Sequence, residues 1–312
     1  MATTGVDTIG MLETLRGSAR RRRKERTVRT VLFAAAAAGL VISVAIVLTL
    51  VGEAIVWLTK VEPGWLWTEG WFPRSNDFDL LTIFAGTMLI AVIAMLVATP
   101  LGLGAAMYLS EYAKPRVRRS LKPVLETLAG IPSVVLGYFA LTVINPGLVQ
   151  TLFSSVGAFS FLAAGIGVGI LTVPLVASVA EDAMFAVPRS LREGAYGIGA
   201  RRRTVTTKVV FPAAVSGIVA SLILGFSRAV GETMVVAIAA GATGGALRTF
   251  NPLDRGQTMT GAISSLAIGS DQVRGSDAAF ASLFFVGLLL FVITFALNLV
   301  SERFVRRVRK NY

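Results

Sequence analysis

The chain has 312 residues, of which 54% are hydrophobic and only 15% are charged, and its formal net charge is +12. It contains no cysteine and no histidine. This composition excludes disulfide scaffolds, thiolate nucleophiles, and the imidazole of most zinc sites and catalytic triads. The charged residues fall in blocks between long apolar runs, which is typical of a polytopic membrane protein.

Six apolar runs are long enough to cross about 30 Å of hydrocarbon as helices of about 20 residues. We therefore predict an all-α membrane protein with six transmembrane helices in a domain from 31 to 302, between a basic tail at 1–30 and another at 303–312. Pro100 with Gly102 and Gly104, Gly130 with Pro132, and Pro174 predict breaks of regular helix within three of the spans. The six runs lie at approximately 31–58, 81–109, 124–145, 159–183, 213–241 and 278–301.

The lysines and arginines are distributed unequally between the two sides of this predicted bundle. The two tails and the loops 110–123 and 184–212 carry 24 of them, whereas the loops on the opposite side carry 5. By the positive-inside rule, both termini are expected in the cytoplasm, with the chain in the plasma membrane. This distribution explains most of the net charge, so no nucleic acid is needed as a partner.

The loop 184–212 contains a pattern that is typical of short helices. Ser190 and Glu193 fit a capping box, which would give Glu193 a structural role at a helix start. Apolar residues recur at Leu191, Ala195 and Ile198, on one face of a helix that would end at Gly199. We predict a second short helix from about Arg202 to Val210. A short helix with one apolar stripe is suited to docking into a groove on another protein.

The same loop resembles that of the import permeases of ATP-binding-cassette transporters, in which a coupling helix sits in a cleft of the ATPase subunit. The family has Glu-Ala-Ala, a glycine six positions after the glutamate, and Ile-x-Leu-Pro at the end. Gly194 replaces an alanine of the family pattern and should loosen the helix by up to about 1 kcal/mol. The residues to which the resemblance assigns ATPase coupling are Glu193, Gly194, Ala195, Gly199 and Pro212.

Two further stretches, Leu128–Gly137 and Ser227–Met234, resemble the permeases of phosphate transporters. The Gly-Glu-Thr-Met ending of the latter stretch is more similar to the PstC type than to the PstA type. The resemblance covers roughly residues 80–302 and implies the type I importer architecture, with a core at 81–302 and a coupling loop at 184–212. It also implies three partners: a PstA-type permease, PstB-type ATP-binding subunits that hold ATP and Mg, and a PstS-type phosphate-binding protein outside.

The charged residues Arg228 and Glu232 lie within an apolar run, where each charge costs about 2.5 to 3.5 kcal/mol. Their spacing puts them on one face of a helix, which allows a mutual ion pair. Alternatively, Arg228 donates to an oxyanion in a translocation path, and Glu232 accepts from a protonated oxyanion such as phosphate. We assign the path to these two residues together with Thr233 and Ser133.

Other functions are compatible with parts of this sequence. The chain lacks a phosphate-binding Gly-x-x-x-x-Gly-Lys-Ser/Thr loop, so it binds no nucleotide cofactor and ATP hydrolysis must come from a partner. A permease for another oxyanion fits the same residues. A secondary carrier would use Arg228 and Glu232 as coupling groups, and an intramembrane enzyme would have to rely on Ser133 or Asp182.

Overall fold

A computed structural model describes residues 19–66, 68–241, 245–268 and 277–309 of the protein. The chain divides into two units, Met1–Gly52 and Glu53–Tyr312. The first described helix begins at Ala19 and the last ends at Arg309. Most basic residues of the two predicted tails therefore lie on helices that continue from the apolar runs, while 1–18 and 310–312 lie outside the described residues.

The described residues form helices for most of their length. Five helices are long and apolar enough to cross a membrane, and a sixth span results if α7 and α8, which meet at a bend of 72°, are counted as one. In chain order the helices are α1 (Ala19–Lys60), α2 (Leu80–Tyr112), α3 (Pro115–Leu128), α4 (Ser133–Leu152), α5 (Phe161–Phe185), α6 (Arg189–Gly197), α7 (Arg202–Ala213), α8 (Val215–Val230), α9 (Met234–Val236), α10 (Met259–Ile268) and α11 (Asp277–Arg309).

Within the described residues, four of these elements contain or lead into π-helical turns, which are frequent at functional sites in other proteins. Those within α2, α4 and α7 span Tyr108–Tyr112, Ala140–Val149 and Thr206–Val210, and the fourth, Ala237–Gly241, follows α9 directly.

One predicted span is wrong. The run 124–145 was expected to form one span with a break at Gly130 and Pro132; the break is present, but it separates two distinct helices, since α3 ends at Leu128 and α4 begins at Ser133. Gly130 and Pro132 lie between them, and Pro132 has an extended backbone (φ −58°, ψ 128°). Proline has no amide hydrogen and its ring opposes a preceding helical turn, so the helix cannot continue through it. The apolar run therefore divides between a separate helix and a shifted span.

The core of the bundle is the packing of α2 against α5. Glycines on α5 allow this close approach, since a Cβ atom at Gly165 would lie 2.6 Å from Ile93 Cγ2 and one at Gly169 would lie 2.7 Å from Val97 Cβ. Pro100 and Pro174 lie inside α2 and α5, and both helices continue through them. The predicted breaks at these prolines are wrong, because neighbouring helices satisfy freed backbone groups in tightly packed membrane bundles.

A small antiparallel sheet departs from the all-α prediction and joins two distant loops. Its strands are β1 (Gly70–Phe72), β2 (Asp77–Phe78) and β3 (Ala246–Leu247), in the order β2-β1-β3. Trp71 pairs with Phe78 on one side and Ala246 on the other. Beside this sheet, buried Asp79 caps α2 and forms an ion pair with Arg248 at 3.2 Å. The sheet thus fixes the loop after α9 to the start of α2.

Candidate functional site

Helix α6 forms where the sequence predicts a docking helix, but its start differs from the predicted one. The residue that precedes the helix is Pro188, and no side chain caps the helix start. The predicted capping box between Ser190 and Glu193 is therefore absent, because Ser190 lies within the first turn instead of before it. Glu193 is exposed and has no partner among the described residues. Its carboxylate is available to another protein.

The end of α6 is as predicted. Gly199 has a φ of 82°, in the left-handed region that favours glycine. The amide of Gly199 donates to Tyr196 O at 2.9 Å and that of Ala200 donates to Ala195 O at 3.1 Å, which closes the last turn. A Cβ atom at Gly194 would meet no atom within 4 Å, so this departure from the family pattern leaves open space on the helix.

The apolar stripe of α6 divides between the inside and the surface. Ala195 packs against a cluster that includes Val205 and Val210. Leu191 and Ile198 point outward and are 48% and 87% exposed. Large apolar side chains that are this exposed on a short, well-ended helix are suited to contact with a second protein.

Arg192 binds α6 to two spans. Its Nη2 lies 2.9 Å from Oε1 of Glu111, in the last turn of α2, and the Glu111 side chain is only 4% exposed. The same guanidinium donates to the carbonyl of Met184, in the last turn of α5, at 2.8 Å. It also donates to the carbonyl of Val187, which follows the end of α5. Because all of these groups are largely shielded from water, the contact is stronger than a surface ion pair.

Glu111 also forms a hydrogen bond with a second arginine, which lies further along the loop. Arg202, at the start of α7, donates to the Glu111 carbonyl, and its guanidinium lies 5.0 Å from the centre of the Tyr112 ring. Helix α7 begins at the predicted residue and continues to Ala213, beyond the predicted end. Pro212 lies in its last turn, just before the bend of 72° into α8. Helices α6 and α7 of the loop are thus both bound to one residue of α2.

A second group of charges, which the sequence did not predict, joins α3 to α5. Glu181 is fully buried and forms two ion pairs. Its Oε1 lies 2.6 Å from Nη2 of Arg118, and its Oε2 lies 2.8 Å from Nζ of Lys122. Lys122 also pairs with Asp182. The arrangement places Asp182 in an ion pair at the end of α5 and not beside a nucleophile. A buried carboxylate late in an apolar run requires a cationic partner, and this requirement was the available signal for Glu181.

The predicted path residues lie at a break in the last part of the bundle. Helix α8 ends at Val230 and α9 begins at Met234, so Arg228 and Glu232 do not share one continuous helix face as predicted. Arg228 is exposed in the last turn of α8 and has no hydrogen bond or ion pair among the described residues. The mutual ion pair that the spacing allowed is not formed.

Glu232 supports the break itself. Its Oε1 accepts from the amide of Val235 at 3.3 Å, at the start of α9, and its carbonyl accepts from the hydroxyl of Thr260 at 2.7 Å. Thr260 belongs to α10, whose first residue, Met259, donates its amide to Thr87 of α2 at 2.9 Å. The break is therefore held between α9 and α10, while Thr233 is half-buried within it.

The structure brings Ser133 to the same part of the bundle. Helix α4, which begins at Ser133, packs closely on α9, since a Cβ atom at Gly137 would lie 3.0 Å from the Cα of Val235 and 3.1 Å from Met234 O. Ser133 is partly buried and makes no hydrogen bond to the described residues. The two stretches that resemble phosphate permeases are thus neighbours in the bundle.

Membrane-length helices packed beside a break with an exposed arginine, and a short helix bound to two of the spans, indicate a transport permease. Residues 98–310 match the family described as the inner membrane component of binding-protein-dependent transport systems. The chain belongs to this family of permeases of ATP-binding-cassette importers. It is a non-catalytic component of a multi-pass inner-membrane system that also requires an ATPase and a binding protein.

Curated relatives cover most of the chain. It is 34% identical over 261 residues to the phosphate transport system permease protein PstC of Mesorhizobium japonicum, with 78% of each chain covered. It is 32% identical over 252 residues to the probable ABC transporter permease protein YqgH of Bacillus subtilis, with 77% of this chain and 76% of the relative covered.

Solved structures share the fold. The match to the inward-facing MetNI methionine ABC transporter has a TM-score of 0.52 at 17% identity and covers 72% of this chain and 91% of the other. An amino acid ABC transporter solved with histidines matches with a TM-score of 0.51 at 18% identity, and covers 73% of this chain and 92% of the other. At these identities the likeness shows the fold alone, and it agrees with the predicted importer architecture.

Proposed function

We propose that this chain forms part of the path by which inorganic phosphate enters the cell, with transport driven by ATP hydrolysis on a partner subunit. The main observation is the exposed guanidinium of Arg228, which has no partner among the described residues and stands beside the break between α8 and α9. The relatives named as phosphate permeases support the choice of phosphate among oxyanions.

Arg228 has the chemistry to hold an oxyanion. Its planar guanidinium offers two parallel donors to two oxygens of one phosphate group, a geometry that lysine lacks. A charge inside the bilayer is costly when nothing neutralises it. A passing anion, in a cavity shared with a second permease, supplies that neutralisation.

Glu232 provides a means of preferring phosphate to sulfate. Its Oε1 accepts from Val235 N, which leaves Oε2 without a partner among the described residues. Phosphate near neutral pH carries a proton that it can donate to this oxygen, whereas sulfate carries none. Repulsion between the carboxylate and a fully deprotonated anion then disfavours sulfate. Thr233 and Ser133, at the break and at the start of α4, complete the proposed path.

The loop 184–212 connects this path to the ATPase. Exposed Glu193, Leu191 and Ile198 form the surface that enters a cleft of the ATP-binding subunit, and Gly194, Ala195, Gly199 and Pro212 shape the helix and its exit. Movement of α6 passes to α2 and α5 through Arg192. Alternating access then follows from rearrangement of these spans around the break. The positive-inside distribution supports a cytoplasmic position for this loop and for both termini.

The partners follow from this assignment. A PstA-type permease completes the membrane path, PstB-type subunits bind ATP and Mg, and a PstS-type protein delivers phosphate from outside. The small sheet of β1, β2 and β3 lies at the opposite end of α2 from Glu111, where such a delivering protein would dock.

The test is ATP-dependent uptake of labelled phosphate by vesicles that contain the assembled complex. Arg228→Gln should lose uptake while ATPase subunits still assemble, and Glu193→Ala should reduce uptake per ATP hydrolysed. Arg26→Gln, an exposed arginine of α1 that belongs to none of the proposed sites, is the matched control. Normal uptake in both test variants would overturn the proposal.

Two controls separate the alternatives. Labelled sulfate replaces phosphate in parallel vesicles, and uptake of sulfate at the same rate would favour a permease for another oxyanion. Uptake that continues without ATP or the ATPase partner would favour a secondary carrier.

A further inference from the structure

Helix α3 carries an apolar stripe that nothing in the described structure covers. Val117, Leu121, Val124 and Leu128 recur at helical spacing on one face. They are 37%, 40%, 52% and 43% exposed, and no residue of α3 is buried. Apolar side chains that line up over the whole length of a helix and stay exposed indicate contact with lipid or with another protein.

The ion pairs with α5 determine which way this stripe points. Arg118 and Lys122 each follow a stripe residue by one position, about 100° around the helix, and both bind the buried carboxylate of Glu181. Arg118 also stacks on the ring of Phe185, with its Cζ atom 3.6 Å from the ring centre. These contacts hold the polar side of α3 against α5, so the stripe is turned away from that contact.

The position of α3 in the chain places it at the membrane surface. Only Ala113 and Lys114 separate it from the end of α2, and the span α4 begins at Ser133. A helix of 14 residues is about 21 Å long and too short to cross about 30 Å of hydrocarbon. It connects two spans at one face of the membrane, the face assigned above to the cytoplasm.

The free cations of α3, which outnumber its one free carboxylate, Glu126, complement an anionic surface. Arg116 and Arg119 are exposed and have no partner among the described residues, and exposed Lys114 precedes the first turn. An amphipathic helix with an apolar stripe and a cationic polar side is the arrangement that lies in the interface of anionic membranes. The cytoplasmic leaflet is the more anionic one, and it attracts such cations.

We propose that α3 is an interfacial lipid-binding helix whose apolar stripe enters the acyl layer and whose Arg116 and Arg119 bind the phosphate groups of anionic phospholipids. The favoured occupant of the stripe is lipid and not a protein partner, because a helix with an apolar stripe on one face and free arginines on its polar faces matches an anionic membrane interface. This binding would hold α3, and through Glu181 the end of α5, at a fixed depth.

The chain contains no cysteine, so one introduced cysteine can carry a fluorescent probe without further changes. Val124→Cys places the probe on the stripe, and Glu126→Cys places it on the opposite, exposed side of the same helix. The assembled complex is placed in phosphatidylcholine vesicles that contain equal mole fractions of nitroxide-labelled phosphatidylglycerol or nitroxide-labelled phosphatidylcholine. Quenching then reports which lipid reaches each position.

We expect both labelled lipids to quench the probe at 124 more than the probe at 126, and phosphatidylglycerol to quench it more than phosphatidylcholine. In the background of Arg116→Gln with Arg119→Gln, this preference should fall by about fivefold for each arginine, the factor for one cation near an anionic surface. Lys60→Gln with Arg74→Gln removes two charges away from α3 and should leave the preference unchanged.

Two results would overturn the proposal. Absence of quenching at 124 by either lipid would show that a protein partner covers the stripe, and equal quenching by both lipids would show contact without anionic preference. Neither result depends on phosphate uptake, so the lipid site and the transport function are tested separately.

Discussion

The guanidinium of Arg192 and the carboxylate of Glu111 form a buried ion pair, with Nη2 2.9 Å from Oε1, between α6 and the last turn of α2. Arg202, on the other side of the loop, donates to the carbonyl of the same glutamate. Helix α6 is therefore attached to α2 through its own Arg192, and the helix that follows it is attached to the same residue through Arg202. A displacement of α6 by a bound ATPase would be transmitted to α2 without an intervening flexible segment.

Glu111→Gln should weaken this link. Removal of one partner from a buried pair costs roughly 3 kcal/mol, because the arginine keeps its charge in a shielded position. We expect a lower Tm for the purified permease complex, and ATP hydrolysis that continues with less phosphate moved per ATP. Vesicle uptake and ATPase rate, measured on the same preparation, give this ratio.

Glu126→Gln serves as the control, since Glu126 is an exposed carboxylate of α3 without a partner among the described residues. An unchanged ratio of uptake to hydrolysis in Glu111→Gln would contradict a mechanical role for the pair, even if the Tm fell.

Ile198→Ser tests the exposed surface of the docking helix. Ile198 is 87% exposed, so its replacement should change the stability of the permease by no more than about 0.5 kcal/mol. If the side chain enters an apolar cleft of the ATPase, the loss of its burial costs roughly 2 kcal/mol of binding, or about thirtyfold in affinity. Titration of the ATP-binding subunit against the permease measures the change in affinity.

Leu247→Ser in β3 is the control, since Leu247 is also exposed, at 66%, and this variant should bind the ATPase normally. Equal weakening of ATPase binding by both variants would argue against a specific contact of Ile198.

Glu232→Gln tests selectivity while retaining the local structure. The amide oxygen of glutamine can still accept from Val235 N, so α9 should keep its start. A charged acceptor is stronger than a neutral one by about 1.4 kcal/mol, so phosphate uptake should fall by about tenfold and the preference over sulfate should narrow. Competition of unlabelled sulfate against labelled phosphate gives the preference directly. Uptake and preference that both equal the wild-type values would remove Glu232 from the path.

The ion pairs of Lys122 predict a pH dependence of stability. Burial lowers the pKa of this ammonium, but hydrogen bonds to Asp182 and Glu181 and the charges of these residues outweigh it, so the pKa is raised above its ordinary 10.5. A group with a raised pKa in the folded state stabilises fully below its unfolded value and loses that effect as the pH rises through the folded value. The Tm difference between wild type and Lys122→Met should be constant below pH 10.5 and shrink above it.

Arg119→Met, on the same helix but without a described partner, is the control, and its Tm difference from wild type should not change with pH in this range. A Tm difference for Lys122→Met that grew with pH would contradict the assignment.

Much of the architecture follows from local patterns in the sequence. Apolar runs predicted the spans because hydrocarbon favours any sufficiently long apolar helix, wherever its neighbours lie. The end of α6 at Gly199 was equally predictable, since a left-handed residue after a helix favours glycine. The family motif in the same loop led to the permease class, which the family match confirms.

The errors arose where one residue serves two distant elements or where a helix is interrupted. Gly130 and Pro132 predicted a break in the run 124–145, but an apolar count could not show that the part before the break is a separate helix, because the stripe of an amphipathic helix and a transmembrane run are indistinguishable when they adjoin. The break at Gly231 to Thr233 depends on Thr260 of α10, which holds the Glu232 carbonyl, and no local pattern specifies that contact.

Helical spacing thus allowed Arg228 and Glu232 to pair, but the folded chain separates them and leaves the arginine free among the described residues. Glu111 and Arg192 are 81 residues apart, and no sequence pattern near either residue predicts that they form an ion pair. Local hydropathy and turn chemistry therefore account for the spans and the docking helix. Which charges meet depends on the packing of α2, α5 and α6, since a buried charge is stabilised by whichever opposite charge the fold brings within reach.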